Sequence, residues 1–560
     1  MTWTRSPSVR LLLWCVAGTA LAQAVIARAG AGNPDLFSRI FWYLLTAFDT
    51  NGNLLLLLLA TCAFLLRRQP AALAAVRFAA ERPWSVAAAV FPLLCLCSLR
   101  IYHDYPLSMD EYAAVFQAQA FAAGHLTGVF PADLVDRLVP PFSHGYFFRV
   151  ARSAGEVSSS YWPGFALLLT PFVWLGIPWA ANPVIGALTI PAVHRLARLV
   201  AGSPEAAGWA VVITVGSPAF IVASISYYSM PAHLLCNLLF ALLLMRPTAP
   251  RAFLAGIIGS LALTLHNPVP HLLFSLAFFV WLCVRPASAA ILGSLICGYL
   301  PLSALLGLGW HHHLASLAQT GLAAHAVGAE PSLLETVSAY IRPFLNPPLP
   351  GVIQARIADL SKAWTWGAAG FMVLAAYGCM VSRAATETKL LGAALAITFF
   401  GYVFVPFDQG HGWGFRYIHS AWFVIPVLAS VALSRVHGSP GGELRNMAAW
   451  GIVLSIVCAN GLRLAQVEAF ITRHLDQVPP LARPATREQP EVVFVNLAAG
   501  LYTRDMVQND PFLRSPRVVM VQDGKNIPQL MARHFPAYAK TAEGGWGELW
   551  TAAQAASPKK

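Results

Sequence analysis

Charge is what this sequence has least of. Asp, Glu, Lys and Arg together make up 11% of its 560 residues, against about 25% in an ordinary soluble domain. With 57% hydrophobic residues and a mean hydropathy of +0.59, that scarcity excludes a soluble globular fold. Apolar runs of about 15 to 20 residues recur along the chain, the pattern of a polytopic membrane protein. No run alternates as barrel strands do, and unpaired backbone groups are costly in hydrocarbon, so the spans are expected to be helices. Cysteine is missing from the polar segments: Cys15, Cys62, Cys95, Cys97, Cys236, Cys283, Cys297, Cys379 and Cys458 all fall in apolar runs. That excludes a disulfide framework and leaves no Cys spacing suited to zinc. There is also no internal repeat, heptad, low-complexity tract or inverted pair of halves.

What is present is topological information. The net charge of +12 would suggest nucleic acid in a soluble protein, but here Lys and Arg cluster beside the apolar runs, and no nucleic-acid partner is expected. About thirteen spans are expected: Leu11–Ala29, Leu54–Leu66, Trp84–Ile101, Ala181–Val200, Ala206–Ile225, Pro231–Met245, Ala252–His266, His271–Val284, Ala289–Leu308, Thr365–Val381, Leu390–Val405, Ile418–Leu433 and Met447–Leu462. With the N-terminus inside, the cytoplasmic turns hold Arg5 and Arg10, then Arg67, Arg68, Arg77 and Arg82, then Arg195 and Arg198. Further turns hold Arg246, Arg251, Arg285, Arg383, Lys389, Arg435 and Arg445; on the opposite side Arg39 and Arg416 are the main exceptions. The apolar run Trp162–Pro178 would break this parity, and is expected to be a re-entrant or interface-lying helix. The first run, with Ala20-Leu21-Ala22, also resembles a signal peptide, but its apolar stretch continues past Ala22, which favours an uncleaved anchor.

The resulting organisation is an all-α polytopic membrane protein with a small exoplasmic α/β domain at its C-terminus. Residues 1–101 hold the N-terminal transmembrane helices, and 102–180 form an exoplasmic loop with interfacial helices. Residues 181–462 form the transmembrane core, with an exoplasmic loop at 309–364, and 463–560 form the C-terminal domain. In that tail Glu491–Val495 and Arg517–Val521 look like strands and Ile527–His534 like a helix. The expected location is a bacterial inner membrane, with the N-terminus cytoplasmic and the tail periplasmic.

The first loop carries the chemistry. It runs His103-Asp104-Tyr105 and then Met109-Asp110-Glu111-Tyr112, an acidic pair just past the end of a span. Neighbours at i and i+1 point in different directions on a helix, so Asp110 and Glu111 cannot act as two matched carboxylates. That argues against a two-carboxylate glycosidase and for one general base. The plainer reading is that the pair caps the apolar helix behind it. A single base is what transfer from a lipid-phosphate sugar needs, since phosphate is a weakly basic leaving group and only the acceptor hydroxyl must lose a proton. The departing phosphate then needs a cation. Arg416, in the Gly-rich turn Phe407–Tyr417, is the main candidate, with Arg149 and Arg152 behind it. The alternative for Arg416 is a snorkelling side chain in an aromatic belt.

Histidines are frequent on the exoplasmic side: His103, His125, His144, His233, His266, His271, His311, His312, His313 and His411. His266-Asn267-Pro268-Val269-Pro270-His271 and Tyr227-Tyr228-Ser229-Met230-Pro231-Ala232-His233 break apolar runs, and polar groups at broken membrane helices are functional candidates. No His-Glu-x-x-His motif is present. The expectation is therefore that no metal or other cofactor is required, with a divalent metal on histidines and Asp110 or Glu111 as the minor alternative.

At these residues the chain resembles the GT-C-type glycosyltransferases, the class of the protein O-mannosyltransferases and the lipid A aminoarabinose transferase. The resemblance is carried by Met109-Asp110-Glu111-Tyr112, by Tyr161-Trp162-Pro163-Gly164, by the span Asn182–Arg198, and by Trp413-Gly414-Phe415-Arg416-Tyr417. It implies transfer from a polyprenyl-phosphate sugar donor to a glycan, lipid or protein acceptor. Asp110 would be the base, Glu111 an orienting or binding residue, and Arg416 and Arg149 contacts for the donor phosphate. Tyr112, His103, Tyr161, His233, His266, His271 and His411 would line the substrate pocket. Two departures are visible: two spans precede the one entering the loop where the family usually has one, and His233 stands where several relatives carry an acid. The competing functions are a transporter or flippase of an anionic glycolipid, and a polysaccharide polymerase or ligase.

Overall fold

Proline and glycine set the breaks in a mostly helical chain. The structure is a computed structural model, and it describes residues 6–30, 39–286, 288–321, 335, 338, 341–436, 439–524 and 526–552. Arg5, the middle of the 309–364 segment and residues 553–560 lie outside the described residues, as does the side chain of Arg39. Among the described residues, six helices are long and apolar enough to cross a membrane: Pro7–Ala29, Ile40–Leu65, Pro83–Arg100, Pro178–Ala201, Ala289–Leu317 and Gly441–Leu475. The other expected spans fall on shorter helices. Ala206–Ile225 is split in two, because Gly216 ends the helix Pro204–Val215 and Pro218 starts the next, Pro218–Ala223. The Trp162–Pro178 run forms a helix of only 11 residues, Gly164–Trp174, too short to span.

The chain divides into two compact units, Met1–Leu99, Trp179–Leu305 and Pro331–Gln466 in the first, and Arg100–Pro178, Leu306–Glu330 and Val467–Lys560 in the second. In the first unit, helices Ala249–Thr264 and Ala289–Leu302 approach closely at two glycines. A Cβ on Gly256 would lie 2.8 Å from the Cα of Gly298, the small-residue contact that membrane helices use. The expected span Leu54–Leu66 begins much earlier, as the helix Arg39–Leu65, and so takes in Asp49. Asp49 is wholly buried; it accepts from Lys362 Nζ at 3.0 Å and Trp366 Nε1 at 2.6 Å, and pairs with Arg463 at 3.0 Å. Gly52 makes room for the Arg463 guanidinium, which a Cβ there would strike. Lys362 sits on the helix Pro350–Thr365 together with Arg356 and Asp359, themselves paired at 2.6 Å and buried. The end of the 309–364 segment is thus a buried helix rather than a solvated loop. Of its charges, Arg356 and Asp359 meet one another within the helix, and Lys362 meets Asp49, far away in sequence.

In the second unit the first polar loop and the C-terminal tail share one core. Strands β1 (Gly128–Val129), β2 (Phe148–Ala151) and β3 (Glu156–Ser159) form an antiparallel sheet in the order β1-β3-β2. Strands β4 (Glu491–Val495), β5 (Arg517–Val521), β6 (Tyr538–Gly544) and β7 (Gly547–Ala552) form a second, in the order β5-β4-β7-β6. The two runs read as strands in the tail pair in parallel, from Glu491 opposite Arg517 to Val495 opposite Val521, and Ile527–His534 is helical as expected. Tyr112, Phe116, Phe130 and Phe148 of the loop join Val492, Phe494, Met520 and Ile527 of the tail in a single apolar cluster. The tail does not bury its own sheet alone, so its apolar face is completed by the loop.

Asp49→Ala should leave Lys362 and Arg463 buried without their counter-charge. The expected loss is about 3 to 5 kcal/mol, read as a lowered midpoint of thermal unfolding in detergent; an unchanged midpoint would show that the triad carries no stability.

Candidate functional site

The acidic turn is built by its caps. His103 and Asp104 adopt left-handed backbone angles, φ 57° and 49°, which swing the chain into the helix Met109–Ala122. Ser108 is the N-cap and Glu111 closes a capping box. Glu111 is wholly buried; it accepts from the N–H groups of Leu107 at 2.9 Å and Ser108 at 3.2 Å, and from the Tyr102 hydroxyl at 2.9 Å. That set of donors makes Glu111 the residue that holds the turn. Asp110, one position earlier, turns the other way and is half-buried in the first helical turn, where the helix dipole favours a carboxylate. It accepts a hydrogen bond from the Tyr161 hydroxyl. Tyr161 is fixed in turn: its carbonyl accepts from Trp310 Nε1 at 2.8 Å, and its ring meets Phe147 edge-on at 6.2 Å.

The other expected residues of this unit take different places. Tyr112 lies in the core; its hydroxyl donates to the Asn509 carbonyl at 2.6 Å and accepts from the Asn509 N–H at 2.7 Å. Burial pushes that phenol above its ordinary range, so Tyr112 anchors the turn to the tail and does not line a pocket. His103 is exposed and meets the Thr472 hydroxyl at 3.3 Å. Arg149 is exposed on β2, opposite Ser158, and Arg152 pairs with Asp136 at 2.8 Å. The structure therefore brings Asp110 and Tyr161 together, and puts Glu111 and Tyr112 behind them as support. Two participants were missed. Asp505 of the tail is buried, and that burial pushes its carboxyl up to about 7; the Tyr105 hydroxyl is buried with no hydrogen-bond partner among the described residues. No local pattern marks either, because their neighbours come from opposite ends of the chain.

In the first unit the Gly-rich turn is organised around Arg416. Its guanidinium donates to the Gln409 carbonyl at 2.8 Å and to the His411 carbonyl, and it lies 4.1 Å from the centre of the Tyr228 ring. Gly412, at φ 138°, is needed there, since a Cβ would run into the Arg416 chain. Gln409 closes the turn by donating to the Gly414 carbonyl and accepting from the Arg416 N–H, both at 2.8 Å. His411 Nδ1 is 3.3 Å from the Tyr228 hydroxyl, so these two and Arg416 form one group. His271 is a fully engaged buried histidine, with Nδ1 2.6 Å from Asn237 Oδ1 and Nε2 2.6 Å from the Tyr299 hydroxyl. His233 lies one helical turn before Asn237, buried with neither ring nitrogen hydrogen-bonded among the described residues. His266 follows the end of helix Ala249–Thr264 and is half-buried. Among the described residues, no group of three or more His, Cys, Asp or Glu side chains is placed to hold a metal ion.

No protein-family model and no curated protein matches the chain. Similar solved structures include ArnT from Cupriavidus metallidurans in the apo state, at 14% identity over 83% of this chain and 97% of that one, with a TM-score of 0.49. ArnT from the same organism bound to undecaprenyl phosphate is 13% identical over 85% of this chain and 99% of that one, with a TM-score of 0.47.

Glu111→Ala should strand two backbone N–H groups and the Tyr102 hydroxyl in a buried place. The expected cost is about 2 to 3 kcal/mol, measured as a shift of the unfolding midpoint. Glu111→Gln keeps an acceptor oxygen and should lose less.

Proposed function

We propose that this protein is an integral membrane glycosyltransferase that moves a sugar from a polyprenyl-phosphate donor to an acceptor hydroxyl, with Asp110 as the general base. The observation that supports this most is the unequal use of the acidic pair. Glu111 is consumed as a cap, which leaves one carboxylate at the helix start, to which the Tyr161 phenol donates. One base and no matched acid suits a reaction whose leaving group is a phosphate. In that reaction Asp110 takes the acceptor's hydroxyl proton while the oxygen attacks the anomeric carbon. The bond from that carbon to the phosphate oxygen breaks, and the phosphate leaves with the electron pair.

Tyr161 has a definite role in this reading. Its hydroxyl donates to Asp110, which in this reading orients the carboxylate toward the acceptor. Arg416 is the proposed contact for the donor phosphate, with the Gln409 and His411 carbonyls setting the plane of its guanidinium. Arg149 is a second, exposed phosphate contact in the same reading. The topology proposed with it has about thirteen spans, the N-terminus in the cytoplasm, and the loop and tail in the periplasm of a bacterial inner membrane. No cofactor is needed for the transfer so written. The acceptor class is a glycan, a lipid or a protein.

Purified protein supplied with an undecaprenyl-phosphate sugar and a panel of acceptors tests the reading. Asp110→Asn should lower transfer by about 100-fold or more and leave donor binding intact; a wild-type rate in that variant removes Asp110 as the base. Arg416→Ala should raise the apparent KM for donor while kcat is largely kept. Movement of the lipid across the bilayer with no sugar transfer would replace the transferase by a transporter.

A further inference from the structure

Three arginines of the first unit, Arg246, Arg251 and Arg285, gather round one cavity of about 570 Å³, which Thr248, Trp281 and Glu387 also line. They come from different helix ends. Arg246 follows the helix Met230–Leu244, Arg251 lies in the first turn of Ala249–Thr264, and Arg285 follows Val269–Val284. Arg251 Nη1 donates to the Arg246 carbonyl at 3.1 Å, and the Arg285 guanidinium lies 5.1 Å from the centre of the Trp281 ring. Among the described residues, none of the three forms a salt bridge with a carboxylate. Glu387 is the one acid on the cavity wall, so the wall is net positive. The helices Ala249–Thr264 and Thr386–Tyr402 also begin at its edge, and helix N-termini add partial positive charge. Like charges gathered in this way repel one another unless an anion sits among them.

We propose that this cavity is a headgroup site for an anionic membrane phospholipid, separate from the site of the sugar donor. The recognising chemistry is phosphate, since guanidinium forks match its oxygens. A lipid is favoured over free phosphate by the surface that leads to the cavity. On the helix Val269–Val284, Leu272, Leu276, Val280 and Val284 recur at every fourth residue and all are exposed, Val284 most at 74%. They form one apolar stripe that suits an acyl chain and ends at the turn carrying Arg285. Trp281 is of the residue type that sits at headgroup level. The donor phosphate has a different place in the proposed function. Arg416 lies over Tyr228, just before the helix Met230–Leu244, and Arg246 lies just past its other end. That helix has 15 residues, so its ends are about 22 Å apart. In the proposed topology the Arg246 end faces the cytoplasm, where anionic lipids give the leaflet its negative potential.

The test is lipid retention by the full chain in detergent, read by native mass spectrometry. The probes are phosphatidylglycerol, phosphatidylcholine and inorganic phosphate. Wild type should hold phosphatidylglycerol more tightly than phosphatidylcholine. Arg246→Gln, Arg251→Gln and Arg285→Gln should each weaken phosphatidylglycerol binding about fivefold, and Glu387→Gln should strengthen it. Arg195→Gln removes an exposed arginine that does not line the cavity. An equal loss in that control means diffuse attraction to a basic face, and overturns the site. Equal retention of the two lipids, or full retention in all three arginine variants, overturns it as well. Inorganic phosphate bound as tightly as phosphatidylglycerol assigns the cavity to a soluble anion and overturns the lipid. Glu387→Gln covers an arginine variant that fails to fold, because its effect has the opposite sign and unchanged binding there also overturns the proposal. Retention requires no sugar transfer, so this proposal and the transferase reading stand or fall separately.

Discussion

The burial of Glu111 is the interaction on which the acidic turn depends. A carboxylate removed from water must be met by donors, or it costs several kcal/mol. Here its own neighbourhood supplies them, among them the N–H groups of Leu107 and Ser108 and the Tyr102 and Ser108 hydroxyls. Satisfying Glu111 fixes the start of the helix, and that fixes the direction of Asp110. Two adjacent acids thereby acquire opposite jobs from geometry alone: one faces inward and is spent, the other faces Tyr161. Neither job is a property of the residue type.

The first unit applies the same rule to larger charges. Asp49, Lys362 and Arg463 come from three separate segments and neutralise one another in a buried place, with Trp366 adding a donor. Arg356 reaches Asp359 and the Tyr402 carbonyl, and its guanidinium lies 4.5 Å from the centre of the Tyr417 ring. Tyr417 stacks on Tyr402 at 4.5 Å and donates to the Asp408 carbonyl. The turn that holds Arg416 is thus fastened by one buried cation, Arg356, on another helix. Buried networks of this kind rigidify to the extent that their members are met.

What was legible in the sequence follows from how local each signal is. The membrane class, the strands Glu491–Val495 and Arg517–Val521, and the helix Ile527–His534 are written in runs of consecutive residues, and each is found where it was read. The acidic pair was also visible, and so was the capping reading, which the structure gives to Glu111. The hairpin of β6 and β7 escaped notice, although Glu543-Gly544-Gly545-Trp546-Gly547 is a turn signal. Asp49 escaped because a hydropathy window stops at a charge, and its partners Lys362, Trp366 and Arg463 lie far along the chain. Tyr112 looked like a pocket residue because it follows the acids; its actual partner, Asn509, cannot be inferred from any spacing.

The sharing of one core by loop and tail has a mechanistic consequence. A base that takes a proton from an alcohol needs its oxygen held within a few tenths of an ångström of the productive position. A loop stitched only to itself samples many positions, since fixing each backbone residue costs about 1 to 2 kcal/mol. Burying Tyr112, Phe116 and Phe148 against Val492, Phe494 and Met520 lets an apolar interior meet that entropy, with hydrogen bonds supplying direction. The tail is then part of the acidic turn's own framework rather than an appended domain. The fold holds the turn that carries Asp110, the proposed base, by ties from the tail to Pro106 and Tyr112.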